Sequence, residues 1–275
     1  VSERFPWRGV KAEAHSRYGG LVLRVVHLES GVRRTLEARA YDDGFAFRYH
    51  VPGEGQRTIQ ADATAWSLPP GALVWHHDVA TQYEGVHRKN PIEAIEPGTT
   101  LVMPLTMELP DGGYAAITEG ALTDFSGLTL KATGSSVVRA AMDDDPDGWQ
   151  ANGPVVLPWR IVLTGPGLDE LVNSDIVAST CPSPAPSLYP KGLHTDWIKP
   201  GRALWHWWSG SSVAFEKQKW WVDKTAEMGF EYYLVDEGWG SWRDGARDKW
   251  ELMKELVDHA DWVAAGFVAG TKELK

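Results

Sequence analysis

The sequence predicts two architectures in series: an antiparallel β-sandwich, then an α/β segment that opens but does not complete a (β/α) barrel. Three observations carry this. Residues 1 to about 165 alternate apolar and polar side chains in many short runs, with almost no helical period. Residues 181–195 (CPSPAPSLYPKGLHT) are rich in Pro and Ser and read as a linker, dividing the chain into 1–185 and 186–275. Beyond the linker an apolar run, a helical pattern and a second apolar run follow in close succession. That is the spacing of a βαβ unit, whose strands run parallel.

Taken in order, residues 21–28 alternate strongly. Residues 33–40 alternate too, and Asp42-Asp43-Gly44 turns them into 45–50, a hairpin with a short Gly-containing turn. Weaker strand signals cover 58–61 and 63–68. Residues 71–76, 101–108, 114–118, 128–131, 136–139 and 155–163 continue the series, with Pro-Gly, Asp-Gly-Gly and Asn-Gly-Pro at the turns. Residues 167–178 have helical spacing through Leu168, Leu171 and Val172.

After the linker, Pro200-Gly201 precedes a buried-strand pattern over 203–208, and Gly210, Ser211 and Ser212 follow as a loop. Residues 215–228 are spaced as a helix, with Trp221, Thr225 and Met228 on one face and Gly229 where a C-cap stands. Residues 230–235 form a second buried strand, ending in Asp236-Glu237-Gly238-Trp239. Then 249–260 reads as a helix through Leu252, Leu256 and Val257, and 262–268 as a third strand. A closed barrel takes roughly 250 residues by itself. A chain of 275 residues with a sandwich in front therefore reads as a fragment or truncation.

Composition narrows the partners. Hydrophobic residues make up 43%, enough for a real core, and the 15 tryptophans suit a carbohydrate-active protein. With a net charge of -10 and no basic stripe to neutralise phosphates, nucleic acid is excluded as a partner. Cys181 stands alone, so neither an internal disulfide nor a Cys-rich metal site is available. No apolar run approaches the roughly 20 residues of a membrane span. The opening VSERFPWRGV lacks the apolar core of a signal peptide and has no Met.

Polar and aromatic residues gather at the C-terminal ends of the two expected parallel strands: Trp207, Trp208 and Ser209 on the first, Asp236, Glu237 and Trp239 on the second. In a β/α barrel that face holds the active site. An indole stacks on the C–H face of a sugar, and a carboxylate accepts from its hydroxyls. Trp207, Trp208, Asp236 and Trp239 are therefore the candidate substrate-binding residues for an oligosaccharide. Alternation sends one of Trp207 and Trp208 inward and leaves open which. Against this stand plainer readings: each tryptophan as core, and Asp236 as a cap or ion-pair partner. Asp236 and Glu237 are adjacent and point to opposite sides, so they do not form an acid–base pair. Glycoside hydrolysis needs carboxyls about 5 Å apart for retention or roughly 6.5–9.5 Å for inversion, and no such pair is assigned here. His206 reads as structural, Asp143, Asp144, Asp145 and Asp147 as a solvated acidic turn, and Arg48 and Arg160 as packing residues between domains.

Several segments, in one order, resemble glycoside hydrolase family 97. DWIKPGRALWHWWS and EMGFEYYLVDEGW are similar to the start of its catalytic barrel. FPWRG, EARAYDDGFAFRY, AAITEGALTDFSGLTL and PWRIVLTG are similar to its N-terminal β-supersandwich. The likeness runs from residue 5 to about 258 and begins partway into the usual sandwich, so about its first hundred residues are expected to be missing. The resemblance implies hydrolysis of terminal α-linked glucose or galactose, with inversion and retention both open, and a calcium ion in the active site. It implies that Glu119, in ITEGAL, supplies one calcium ligand. By residues alone Glu119 is an exposed strand-end glutamate, and a single carboxylate falls far short of six to eight oxygens. The resemblance further implies a periplasmic or secreted bacterial protein. The alternative is a non-catalytic carbohydrate-binding sandwich. The open edge of an incomplete barrel is also expected to favour self-association.

Overall fold

The computed structural model describes residues 1–7, 9–77, 84–207 and 212–273. The chain divides into two compact units, Val1–Ser183 and Pro184–Lys275.

The first unit is almost entirely antiparallel sheet. Its strands are β1 (Ser2–Pro6), β2 (Glu13–Arg17), β3 (Gly19–Val26), β4 (Arg33–Tyr41), β5 (Gly44–Val51), β6 (Gln56–Ile59), β7 (Ala65–Ser67), β8 (Leu73–His76) and β9 (Arg88–Pro91), followed by β10 (Thr100–Leu101), β11 (Leu105–Glu108), β12 (Tyr114–Gly120), β13 (Thr129–Ala132), β14 (Val137–Ala141), β15 (Trp149–Asn152), β16 (Val155–Val156) and β17 (Trp159–Gly165). A nine-stranded sheet runs β3-β4-β5-β17-β12-β11-β8-β9, with β16 beside β5. A four-stranded sheet runs β10-β13-β14-β7, and β1-β2 and β15-β6 form separate ribbons.

Strand alternation gives the large sheet two apolar faces. Val74, Leu105, Met107 and Ile117 meet Leu101, Leu130 and Val138 of the smaller sheet, which is the sandwich core. On the opposite face Ala46, Ala116, Trp159, Ile161 and Leu163 lie under Ile176 and Leu171. Those two residues come from α1 (Leu168–Asn173) and α2 (Ile176–Thr180). The one helix expected over 167–178 is thus two. Ser174 is extended between them, and Asp175 accepts from the His15 backbone N–H and pairs with Lys11. Asn, Ser and Asp side chains compete with helical hydrogen bonding, so the break falls there.

Prolines also divide two expected strands. Pro104 separates β10 from β11, which lie in different sheets, and Pro158 separates β16 from β17. Proline has no N–H to give a ladder. The strands β1, β2, β9 and β15 escaped the sequence reading because segments such as EAHSR, RKNP and WQAN alternate weakly. Every residue of β3 is exposed, although residues 21–28 alternate strongly in sequence.

In the second unit β18 (Ala203–Trp205) pairs in parallel with β19 (Tyr232–Leu234) across α3 (Phe215–Glu227). Gly229 ends α3 with φ +67°. The buried face of α3 is Gln218, Val222 and Thr225, and Met228 is exposed, so the helix is rotated from the expected Trp221–Thr225–Met228 face. Burial of Gln218 is possible because Tyr233 donates to its Oε1 at 2.6 Å and its Nε2 donates to the Ala214 carbonyl at 3.0 Å.

Two further expectations are corrected. The helix and third strand of 249–268 are one helix, α4 (Lys249–Glu273). No Pro or Gly interrupts it before Gly266, and a short apolar run does not separate strand from buried helix. The two strands expected to be buried expose Trp205, Tyr232 and Leu234. Val222, Trp242, Leu252 and Leu256 pack with Tyr233 and Val235, so the apolar run is only half used. No described helix is long and apolar enough to cross a membrane.

Candidate functional site

Glu119 is the penultimate residue of β12 and stands opposite Arg160 of β17. An arginine inside the apolar run PWRIVL has to find anions or leave a buried charge unpaired. Arg160 finds two. Its Nε and Nη2 donate to Asp62 Oδ2 at 3.0 and 2.8 Å, and its Nη1 donates to Glu119 Oε2 at 2.7 Å. The side chains of Arg160, Asp62 and Glu119 are 2%, 4% and 13% exposed. Asp62 is fixed in turn by Thr64, whose backbone N–H and hydroxyl donate to Oδ1 at 2.9 and 2.6 Å.

The remaining Glu119 oxygen, Oε1, accepts from the Leu128 N–H at 2.9 Å. The chain reaches that point through a loop in which Ala121 and Asp124 are left-handed, at φ 54° and 53°. That conformation costs about 1–2 kcal/mol per non-glycine residue. The carboxylate is therefore held from two sides, and one cation balances two anions.

A calcium ion takes six to eight oxygens. Among the described residues no group of three or more His, Cys, Asp or Glu could hold a metal ion. Each Glu119 oxygen keeps a second lone pair, but Arg160 already places positive charge beside Oε2. The described residues thus offer one carboxylate and do not by themselves fit a calcium site. Residue reasoning had Glu119 as an exposed strand-end side chain, Arg160 as domain packing, and no role for Asp62. The buried arginine was the signal that a carboxylate cluster surrounds it.

A second charged cluster lies on the other face of the large sheet. Arg39 and Arg48 place their guanidinium carbons 4.3 and 4.4 Å from the ring of buried Trp159. Glu37 accepts from Arg48 at 2.8 Å, Arg39 at 3.1 Å and His50 at 3.2 Å. Burial alone raises the Glu37 carboxyl, yet the hydrogen bonds from Arg48, His50 and Arg39 together hold it below its ordinary value.

In the second unit the expected sugar-binding residues take different positions. Trp207 follows β18 with its side chain exposed. Trp208 and the loop residues Gly210 and Ser211 lie outside the described residues. Asp236 accepts from the Trp205 indole N–H across the parallel pair and from the Glu237 backbone N–H. Trp205, not singled out by its position, is thus what orients Asp236. Trp239 stands edge-on to Trp250, centroids 5.2 Å apart, beside the Val222–Leu252 cluster. His206 is buried against Trp221. Tyr233 has one proton, which goes to Gln218, so His206 donates from Nδ1 to the phenol oxygen at 2.9 Å. An apolar cavity of about 680 Å³ opens between α3, β19 and α4, lined by Val222, Phe230, Met253 and Leu256. Trp207, Asp236 and Trp239 do not line it.

Residues 1–182 match the family model described as glycosyl-hydrolase 97 N-terminal. The chain belongs to glycoside hydrolase family 97. A probable retaining α-galactosidase of Streptomyces bingchenggensis is 29% identical to this family 97 chain over 219 residues, covering 77% of the chain and 32% of the relative. A retaining α-galactosidase of Bacteroides thetaiotaomicron is 24% identical over 307 residues, covering 94% and 45%. The family 97 chain therefore spans 32% and 45% of the length of these two curated relatives, less than half of either. Among solved structures, a family 97 enzyme from Pseudoalteromonas sp. strain K8 in complex with acarbose superposes with a TM-score of 0.71 at 24% identity, over 90% of this chain and 39% of that one. A β-arabinopyranosidase superposes with a TM-score of 0.74 at 21% identity, over 96% and 44%. At these identities the superpositions speak for the fold.

Proposed function

We propose that this family 97 chain is the sandwich domain (1–185) and the opening of the catalytic (β/α) barrel (186–275) of an exo-acting α-glycosidase, with α-galactosides as substrate. The observation that carries this is the 29% identity over 219 residues to a probable retaining α-galactosidase, with a second curated retaining α-galactosidase behind it. Retention uses two carboxyls about 5–5.5 Å apart, one as nucleophile and one as acid then base. Asp62 and Glu119 do not suit that work, because Arg160 neutralises them in a buried setting. The 275-residue chain is therefore expected to bind or position rather than to turn over.

In the longer enzyme, Glu119 would contribute one oxygen to a calcium ion whose other ligands come from elsewhere. Such an ion, if bound, would supply a fixed positive charge. The chain's own part is to hold Glu119 in place through Arg160 and Leu128. Exposed Trp207, with Asp236 set by Trp205, supports a sugar surface at the ends of β18 and β19. The same surface supports the second reading, carbohydrate binding without catalysis. Export to the periplasm or medium rests on the family resemblance alone. The open edges of the β18–β19 pair offer one route to self-association.

The test compares p-nitrophenyl α-galactoside with the α-glucoside, using protein from the full reading frame alongside the 275-residue chain. The expected result is galactoside cleavage with retention by the former and negligible turnover by the latter. Melibiose binding by Trp fluorescence, without cleavage by either protein, would favour the second reading. Enzyme-like turnover by the 275-residue chain would overturn the division of labour given above.

A further inference from the structure

We propose that the sandwich carries a binding site for a neutral saccharide, in the pocket between the β6–β15 ribbon and the loop that follows Glu119. The inference rests on family 97 membership, and not on which α-glycoside the longer enzyme cleaves. The pocket has a volume of about 520 Å³, within the roughly 300–1,000 Å³ of small-molecule sites. Its walls are β15 with Gln56 of β6, Thr123 and Asp124 of the loop, and residues 154–156. All of these belong to the first unit, whereas Trp207 and Asp236 belong to the second. The pocket is therefore a separate place from the sugar surface at β18 and β19.

The lining fits an uncharged, polyhydroxylated ligand. Trp149 packs on Phe125, ring centroids 6.3 Å apart, and is only half-buried there. The indole also lines the pocket, and such a ring offers the C–H face of a sugar a stacking surface. Beside it stand the exposed side chains of Gln56, Asn152, Thr123 and Asp124. The first three both donate and accept, and the carboxylate accepts from hydroxyls. Among the described residues none is hydrogen-bonded to these four side chains, whereas Gln150 is held by Thr58 across the ribbon at 3.0 Å. No Lys, Arg or His is among the described residues that line the pocket. A phosphate or carboxylate would meet Asp124 there with no cation to offset the repulsion. The loop is held in a costly shape, with Ala121 and Asp124 left-handed. It ends at Leu128, whose N–H holds Glu119, so one segment both walls the pocket and clamps the glutamate.

The experiment titrates the 275-residue chain with galactose and with galacturonate at pH 7 by calorimetry. Asp124→Asn and Asn152→Ala change exposed side chains, and Asn tolerates the left-handed backbone at 124. Each variant is checked for native circular dichroism. The expected results are galactose binding that weakens about tenfold or more in the Asp124→Asn/Asn152→Ala double variant, and no measurable galacturonate binding. In equilibrium dialysis, protein from the full reading frame should bind one galactose more per chain than its own double variant. Cleavage of p-nitrophenyl α-galactoside is read separately, so its absence would sink the glycosidase reading and leave this site standing. Equal galactose numbers in the two full-length proteins overturn the proposal, as a pocket covered by another segment would give. So does binding that Trp207→Ala abolishes and the double variant leaves intact, which would put the sugar on the second unit. Galacturonate bound as tightly as galactose would make this an anion site and overturn it as well.

Discussion

Arg160 donates to Glu119 at 2.7 Å while the same guanidinium holds Asp62 at 2.8 Å, so a fully buried cation of the sandwich is what fixes the glutamate. Removing one partner of a buried ion pair costs about 3–5 kcal/mol, because the other charges stay behind. Arg160→Met is expected to lose that much stability in urea unfolding. Glu119→Gln keeps the acceptor for Leu128 and leaves Arg160 paired with Asp62, so its loss should be nearer 1 kcal/mol. The reverse order of the two losses would show that Arg160 does not organise the cluster.

Gly229 gives a cleaner measure of local backbone energy. It ends α3 at φ +67°, and a Cβ built there meets no atom within 4 Å. Gly229→Ala should therefore cost only the left-handed backbone preference, about 1 kcal/mol. A loss of several kcal/mol would mean that α3 and β19 repack around the turn.

Tyr233 sets an alkaline limit. Burial pushes its phenol up to about 12, against an ordinary value near 10. The folded state then holds the proton more tightly than the unfolded one. Its contribution is complete below about pH 10 and falls away as pH rises toward 12. Tyr233→Phe should remove this alkaline dependence and leave Gln218 Oε1 without its donor, costing about 1–3 kcal/mol at neutral pH. An unchanged alkaline limb in the variant would assign the effect to another group.

Glu37 sets an acid limit of the opposite sign. Arg48, His50 and Arg39 outweigh burial and hold its carboxyl below the ordinary carboxylate value. The folded state releases this proton more readily than the unfolded one. The contribution is therefore present above about pH 4.3 and is lost as pH falls through the lower folded value. Glu37→Gln should flatten the acid limb of a pH–stability curve measured by thermal melting. A steeper limb would contradict this assignment.

The sequence by itself determined the local alternation. The hairpin of β4 and β5, the βαβ order of the second unit and the glycine stop of α3 were all readable, because each depends on neighbours within a few residues. Glu119 could be picked out only by likeness to a family. Only the tertiary structure decided that Arg160 and Asp62 surround it, since Asp62 lies 98 residues from Arg160 in the chain. It also decided that 262–268 continues a helix and that the Trp205 indole holds Asp236. The physical reason is common to all of these. Periodicity reports which side of an element is apolar, whereas burial and charge pairing depend on what the rest of the chain brings against that side.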